Sequence, residues 1–290
     1  MSPATTRGPS RPPVERVRSE LARDAGPDLA AQLPKRYVRL GHVLVVRWPE
    51  TLRPHFPRLA RSLARAHGAR TVLRFAGPVQ GELRTPRAEL LFGSETETEV
   101  LEHGVRWRFD AARVLFATGN KIERARAGQV VQPGETVIDL FAGIGYFAIP
   151  AARFGHAARV LAVDRNPVSI RYLTVNARLN RVDAVVSPLL GDNRTIDLPT
   201  GTADRVFLGY LPSAVPWVGR ALPLLRSSGG TLHVHTVANA RTALPEAEAD
   251  VASAVRKAGG LLEAPPVAHV VKPYGPGRTH VVVEVRVRPT

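Results

Sequence analysis

Nine consecutive residues, Asp139-Leu140-Phe141-Ala142-Gly143-Ile144-Gly145-Tyr146-Phe147, hold the densest chemical signal of this chain. They follow the apolar run Thr136-Val137-Ile138 and lead into a second one, Ala148-Ile149-Pro150-Ala151-Ala152. Glycines at 143 and 145 permit a tight turn and let backbone approach a ligand that a Cβ would repel. Ala148 supplies the third small position of a Gly-x-Gly-x-x-Ala pattern. A second anchor, Asp164, closes the next apolar run about 20 residues on, where a carboxylate can accept hydrogen bonds from both hydroxyls of a ribose. A dinucleotide site shares these two features, so Asp139 makes the distinction. A carboxylate at the strand end before the loop repels a pyrophosphate but suits the ammonium of a methionine moiety, which favours S-adenosylmethionine over NAD. A third anchor, Gly191-Asp192-Asn193, can present polar side chains to an adenine edge. Alone, each piece is an ordinary turn glycine or capping Asp; the argument lies in three of them, in order, after three apolar runs.

These anchors need strand ends to stand on. After about residue 127 apolar strands alternate with amphipathic helices. Strands are expected at 136–140, 159–164, 184–186, 205–208, 230–235 and 280–287, and helices most clearly at 167–179 and 247–258. Such alternation predicts an α/β fold, a doubly wound, Rossmann-like sheet over residues 111–290, with ligands outside the carboxyl ends of its strands. Ahead of it, strands at 43–47, 71–74 and 89–92, a helix at 59–66 with Leu59 and Leu63 on one face, and a hairpin of 97–101 with 105–109 around His103-Gly104 predict a small α+β domain over 32–110. Residues 1–31, rich in Pro, Arg, Ser and Thr, read as a flexible or weakly helical basic lead.

Composition narrows the function classes. The chain has 290 residues, 40 basic against 25 acidic, and a formal charge of +15. That suits a polyanion such as RNA. Four of the basic residues are lysines, Lys35, Lys121, Lys257 and Lys272, and the rest are arginine, a skew that genome composition also produces. Residues 1–130 hold 23 basic and 13 acidic groups against 17 and 12 in residues 131–290, so the front portion is the better grip for RNA or an acceptor. No cysteine is present, which excludes disulfides, thiolate metal sites and a cysteine nucleophile. The start lacks an apolar stretch of signal-peptide type and no run approaches a membrane span, so a cytoplasmic enzyme without a membrane partner is expected.

Six ordered blocks go further: 116–124 (Phe-Ala-Thr-Gly-Asn-Lys-Ile-Glu-Arg), 140–147, Asn166-Pro167, 191–194, 203–213 (Ala-Asp-Arg-Val-Phe-Leu-Gly-Tyr-Leu-Pro-Ser) and 229–235. With Lys272-Pro273-Tyr274-Gly275-Pro276-Gly277 near the end, they resemble the wybutosine-synthesising tRNA aminocarboxypropyltransferases and their relatives, the tRNA guanosine methyltransferases. The resemblance runs from about Lys35 to the end. Within the superfamily the methylating branch has Asn-Leu-Pro where this chain has Gly209-Tyr210-Leu211-Pro212, and Ser-Pro-Arg where it has Thr118-Gly119-Asn120. Both differences point to the aminocarboxypropyl branch.

The resemblance implies transfer of the 3-amino-3-carboxypropyl group from S-adenosylmethionine to a tricyclic guanosine beside the tRNA anticodon. The alternatives are methylation of a tRNA guanosine, or the same transfer to a small molecule. Implied cofactor contacts are Ala117, Arg124, Asp139, Phe141, Ala142, Gly143, Gly145, Asp164, Asp192, Asn193 and Gly209. Tyr210 and Pro212 are acceptor-side candidates. Ala117 stands where the family usually has serine, so a hydrogen bond is lost there. Arg124 matches a cofactor-contacting lysine and is expected on the carboxylate of the methionine arm. Tyr210 and Trp217 can stack on a nucleobase, though aromatics beside a strand end more often belong to the core. His233 and His235, two apart on a strand, share one face; a structural hydrogen-bonding role is expected rather than a metal. No catalytic residue is assigned, because a carbon already activated by sulfur needs none for displacement.

Overall fold

Val43–Val46 and Thr71–Phe75 (β2 and β3) pair in parallel, which requires a crossover between them, and the helix Phe56–His67 (α3) supplies it. In the computed structural model, which describes residues 13–79 and 81–290, these elements belong to the first of two compact units. It comprises the chain up to Val100 with Arg108–Phe116; Leu101–Trp107 and Ala117–Thr290 make the second. The first unit's sheet has the order β1-β2-β3-β4, with Val38–Leu40 as β1 and Ala88–Phe92 as β4, both antiparallel to their neighbours. Phe56, Leu59, Ala60, Leu63 and Ala64 form the buried face of α3, and Gly68 ends it in the left-handed conformation that glycine tolerates best. Helices Pro13–Ala25 (α1) and Pro27–Ala31 (α2) place Val17, Leu21 and Ala30 in the same core. This corrects the flexible lead expected over 1–31: Val17 and Leu21, one turn apart among arginines, are both almost fully buried. The rest of that segment, residues 1–12, lies outside the described residues.

Glu97–Glu102 and Val105–Asp110 (β5 and β6) form the expected hairpin, divided between the units. Its turn residues His103 and Gly104 both have positive φ, 47° and 78°, as the twist of a two-residue hairpin demands.

The second unit is built on an eight-stranded sheet. Its parallel part comprises Thr136–Asp139 (β7), Arg159–Asp164 (β8), Val186–Leu190 (β9), Arg205–Leu208 (β10) and Gly230–Asn239 (β11). Leu261–Leu262 (β12), Val267–Gly275 (β13) and Arg278–Arg288 (β14) are antiparallel additions. Helices Lys121–Val130 (α4), Ala148–Arg153 (α5), Pro167–Leu179 (α6), Val218–Ala221 (α7) and Ala243–Lys257 (α8) complete the unit. Asn166 caps α6 by accepting from the Val168 N–H, with Pro167 preset for the first turn. Its core takes the buried valines of β14 together with Ile138, Leu140, Val206, Leu208, Leu232 and Val234. Chain order reverses at β7, which has β8 on one side and β10 on the other, so a ligand crevice is expected beyond the ends of β7 and β10. Among the described residues no helix is long and apolar enough to cross a membrane.

Candidate active site

The turn after β7 is tied to both neighbouring strands: Leu140 N–H donates to Phe207 O, and Ala142 N–H to Val163 O at 2.9 Å. The chain then needs glycine twice. Gly143 has φ 55°, and a Cβ on it would lie 2.9 Å from the Tyr146 ring; Gly145 has φ 105°, and a Cβ would strike Ile149 and Leu173 at 2.6 and 2.7 Å. Packing beneath the turn is therefore one reason for these glycines, beside any ligand above it. Ala142 is fully buried, so its side chain serves the turn.

Asp139 is fully buried. Its Oδ1 accepts from the Phe141 N–H at 3.1 Å, while its buried Oδ2 meets no partner in hydrogen-bond geometry. Burial pushes the carboxyl up to about 7, opposed by the amides of Phe141 and Ala148 and reinforced by the charge of Asp164. An acid raised in this way favours the folded chain below its unfolded value near 3.9, and that contribution is lost as pH rises through about 7. Asp164, at the end of β8, accepts from Gly143 N–H and Asn166 N–H, both at 2.8 Å, and burial raises its pKa also. The glycine turn and the two carboxylates are thus one connected group, and the orphaned Asp139 oxygen fits a donor brought by a ligand.

Asp192 and Asn193 follow β9, as expected. Asp192 is paired with Arg194 at 3.0 Å and lies 3.7 Å from Arg165; Arg194 chiefly holds its carboxyl below the usual range. Asn193 is more occupied than the sequence suggests: its Nδ2 donates to Leu140 O at 3.0 Å and its Oδ1 accepts from Trp217 Nε1 at 3.1 Å. That staples the turn after β7 to the segment after β10. Phe141, Tyr210 and Trp217 close into an aromatic trio with ring centroids 5.0 to 5.3 Å apart. Tyr210 is half-buried, and Pro212 beyond it is exposed.

Arg124 and Gly209 are more constrained by their neighbours than the sequence alone indicates. Arg124 is 3% exposed, and its guanidinium is bidentate to Glu102, with Nε–Oε1 2.7 Å and Nη2–Oε2 2.9 Å. Its Nη1 donates to Ala117 O at 2.9 Å, and the group lies over the Tyr146 ring. The charge offered to a ligand carboxylate is therefore already met by Glu102. Gly209 opens no space of its own, because a Cβ there would lie 2.6 Å from Phe147 Cε2.

His233 and His235 take the structural role. His233 shares a hydrogen bond with Arg205 at 2.6 Å, and His235 shares one with His280 at 3.0 Å. Burial lowers all three, His235 to about 4 and His280 to about 3, so they are neutral hydrogen-bonding groups at neutral pH. Sequence reasoning missed a network beside them in which Glu123 bonds His269 at 2.8 Å and Arg126 pairs with Glu284. The partners come from α4, β13 and β14, far apart in the chain, and left no local signal.

The family described as the TRM5/TYW2 methyltransferase domain matches residues 98–259, more than half of the chain. The chain belongs to this family. A TYW2 N-terminal domain matches residues 17–96 as well. The tRNA(Phe) (4-demethylwyosine(37)-C(7)) aminocarboxypropyltransferase of Pyrococcus horikoshii is 34% identical over 273 residues, 94% of this chain and 96% of its own. Its Methanocaldococcus jannaschii counterpart is 31% identical over 87% of this chain and 97% of its own. The crystal structure of P. horikoshii TYW2 in complex with MeSAdo superposes with a TM-score of 0.81 at 32% identity, over 96% of this chain and 100% of that one. Family membership places the glycine turn, Asp139 and Asp164 in a fold that matches the sequence expectation of a Rossmann-like sheet with an N-terminal domain.

Proposed function

We propose that this chain transfers the 3-amino-3-carboxypropyl group of S-adenosylmethionine to a tricyclic, 4-demethylwyosine-type guanosine at position 37 of tRNA, and works in the cytoplasm. The observation that carries the reading is the buried Asp139 with its orphaned Oδ2 at the reversal point of the sheet, in a chain that is similar almost end to end to a curated aminocarboxypropyltransferase. When bound, S-adenosylmethionine supplies a sulfonium whose attached carbons are electrophilic, so the group transferred depends on which carbon is aimed at the acceptor. The protein's task is then to orient and to exclude water. Asp164 would hold the ribose, with the turn from Phe141 to Gly145 against the nucleoside. Asp192 would meet the adenine edge, and Asn193 would keep the aromatic trio in register beneath it. Asp139 would take the ammonium on its unpaired oxygen. Tyr210 and Pro212 would face the acceptor base, and the basic first unit would grip the tRNA backbone.

The by-product decides the reaction. Transfer of the aminocarboxypropyl group leaves 5′-methylthioadenosine, whereas methyl transfer leaves S-adenosylhomocysteine. Chromatography of a reaction with tRNA carrying the tricyclic base is expected to find the former rising in step with product. S-adenosylhomocysteine in its place would restore the methylating alternative.

The state of Asp139 gives a second test. A carboxyl near pH 7 must lose its proton before it can pair with an ammonium, so S-adenosylmethionine affinity is expected to rise about tenfold between pH 6 and pH 8, with proton release at the acid end. Asp139→Asn removes the titration and should flatten the profile. Calorimetry at the two pH values, in buffers of different ionisation heat, reads both effects, and an equally steep profile in the variant would assign it elsewhere.

A further inference from the structure

Near Arg124 stands a half-buried cation, Lys272, for which no ion pair is found among the described residues. Arg124 is committed to Glu102 and the Ala117 carbonyl. Glu123 is taken by His269 and Arg126. Lys272, on β13 opposite His280, is half-buried, and its side chain lies along the turn Thr118–Asn120 that starts α4. A Cβ on Gly119 would stand 3.0 Å from Lys272 Cδ and 3.1 Å from its Nζ, so the lysine lies closely against this turn. Among the described residues no carboxylate or carbonyl accepts from the ammonium. Burial and the positive charge of Arg124 both lower its pKa, the signature of a cation lacking its anion. Asn120 Oδ1, in the same turn, is a buried acceptor with no partner.

The location limits what the anion can be. Lys272 feels the charge of Arg124, whose guanidinium lies over the Tyr146 ring, and that ring packs at Gly143 of the turn that follows Asp139. A half-buried ammonium suits a small carboxylate delivered with the nucleoside better than a phosphate of a polymer passing outside. We propose that Lys272 binds the α-carboxylate of the S-adenosylmethionine arm and so holds the arm beside the Thr118–Asn120 turn, the task that Arg124 cannot perform while Glu102 neutralises it. The assignment rests on the S-adenosylmethionine reading above.

The test compares three ligands by calorimetry on the full chain: S-adenosylmethionine, its decarboxylated form, which lacks only the carboxylate, and 5′-methylthioadenosine, which lacks the arm. A single charge-assisted contact corresponds to a preference of about 10- to 100-fold for S-adenosylmethionine over the decarboxylated form in the unaltered protein. Lys272→Met should erase that preference by weakening S-adenosylmethionine alone, with the other two affinities unchanged, and Lys272→Arg should restore part of it. Equal losses for all three ligands would mean that Lys272 only shapes the site, and would overturn the assignment. So would an unchanged S-adenosylmethionine affinity accompanied by weaker tRNA binding, which would make the lysine a phosphate contact. No S-adenosylmethionine binding by the unaltered protein would instead sink the cofactor reading itself.

Discussion

Asp164→Ala is expected to weaken S-adenosylmethionine binding between about 10²- and 10⁴-fold. Two ribose hydroxyls donating to an ionised carboxylate form charge-assisted hydrogen bonds worth about 1.5–3 kcal/mol each, which together span that range. The structure adds a second route to the same loss. Each Asp164 oxygen already accepts a backbone N–H, from Gly143 and Asn166, so the carboxylate fixes the glycine turn as well as facing the ligand. Each oxygen keeps a further lone pair for a hydroxyl. Asp164→Asn retains one acceptor and should sit between the alanine variant and the native protein. Titration calorimetry reads the effect, with thermal denaturation alongside to separate a loosened turn from a lost contact. An unchanged affinity in the alanine variant would remove Asp164 from the site.

Asp164 was legible in the sequence because its position follows from local rules. A six-residue apolar strand ends there, and the glycine turn of the preceding strand lies a fixed distance upstream; the same logic located Asp139 and the segment after β9. Legibility failed where tertiary pairing overrides the local pattern. The strand read over 184–186 lies at Val186–Leu190, since Pro188 interrupts the apolar run, and the sheet tolerates that proline because β9 is its edge. The edge strand β13 was hidden in the same way by its Pro273 and by exposed Val267 and Val270. Helix α1 was legible only as a weak helical tendency because its apolar positions are few, and only packing on α3 shows that they suffice. Side-chain partners were harder still. Nothing near Arg124 announces that Glu102, 22 residues back on a hairpin, will neutralise it, and nothing near Asn193 announces Trp217. A residue's type and spacing give what it can do, whereas its neighbours across the fold settle what remains available.

Gly209 brings that distinction to the choice of reaction. The related methylating branch has Asn at this position, and a glycine reads as space released for a larger acceptor. In the structure that space belongs to Phe147. The ring stacks on Phe207 with centroids 5.3 Å apart, lies 5.1 Å from His235 and is 6% exposed, so it has nowhere to retreat. Gly209→Asn is therefore expected to behave as an overpacked core substitution costing about 1–3 kcal/mol, a Tm fall of very roughly 3–10 °C for a domain of this size. Because Phe147 also leads from the glycine turn into α5, its displacement should lower S-adenosylmethionine affinity too. No gain of methyl transfer should accompany these losses, and chromatography should find no S-adenosylhomocysteine. Adding Phe147→Leu, which vacates the ring's edge, should recover part of the Tm lost in the single variant. The opposite result, a single Gly209→Asn protein with native Tm that releases S-adenosylhomocysteine, would mean that position 209 faces the acceptor freely and sets the branch by its own side chain. The packing found here argues that glycine and phenylalanine at 209 and 147 act as a pair, so the reaction branch is held by the shape of the core under the site as much as by the polar groups above it.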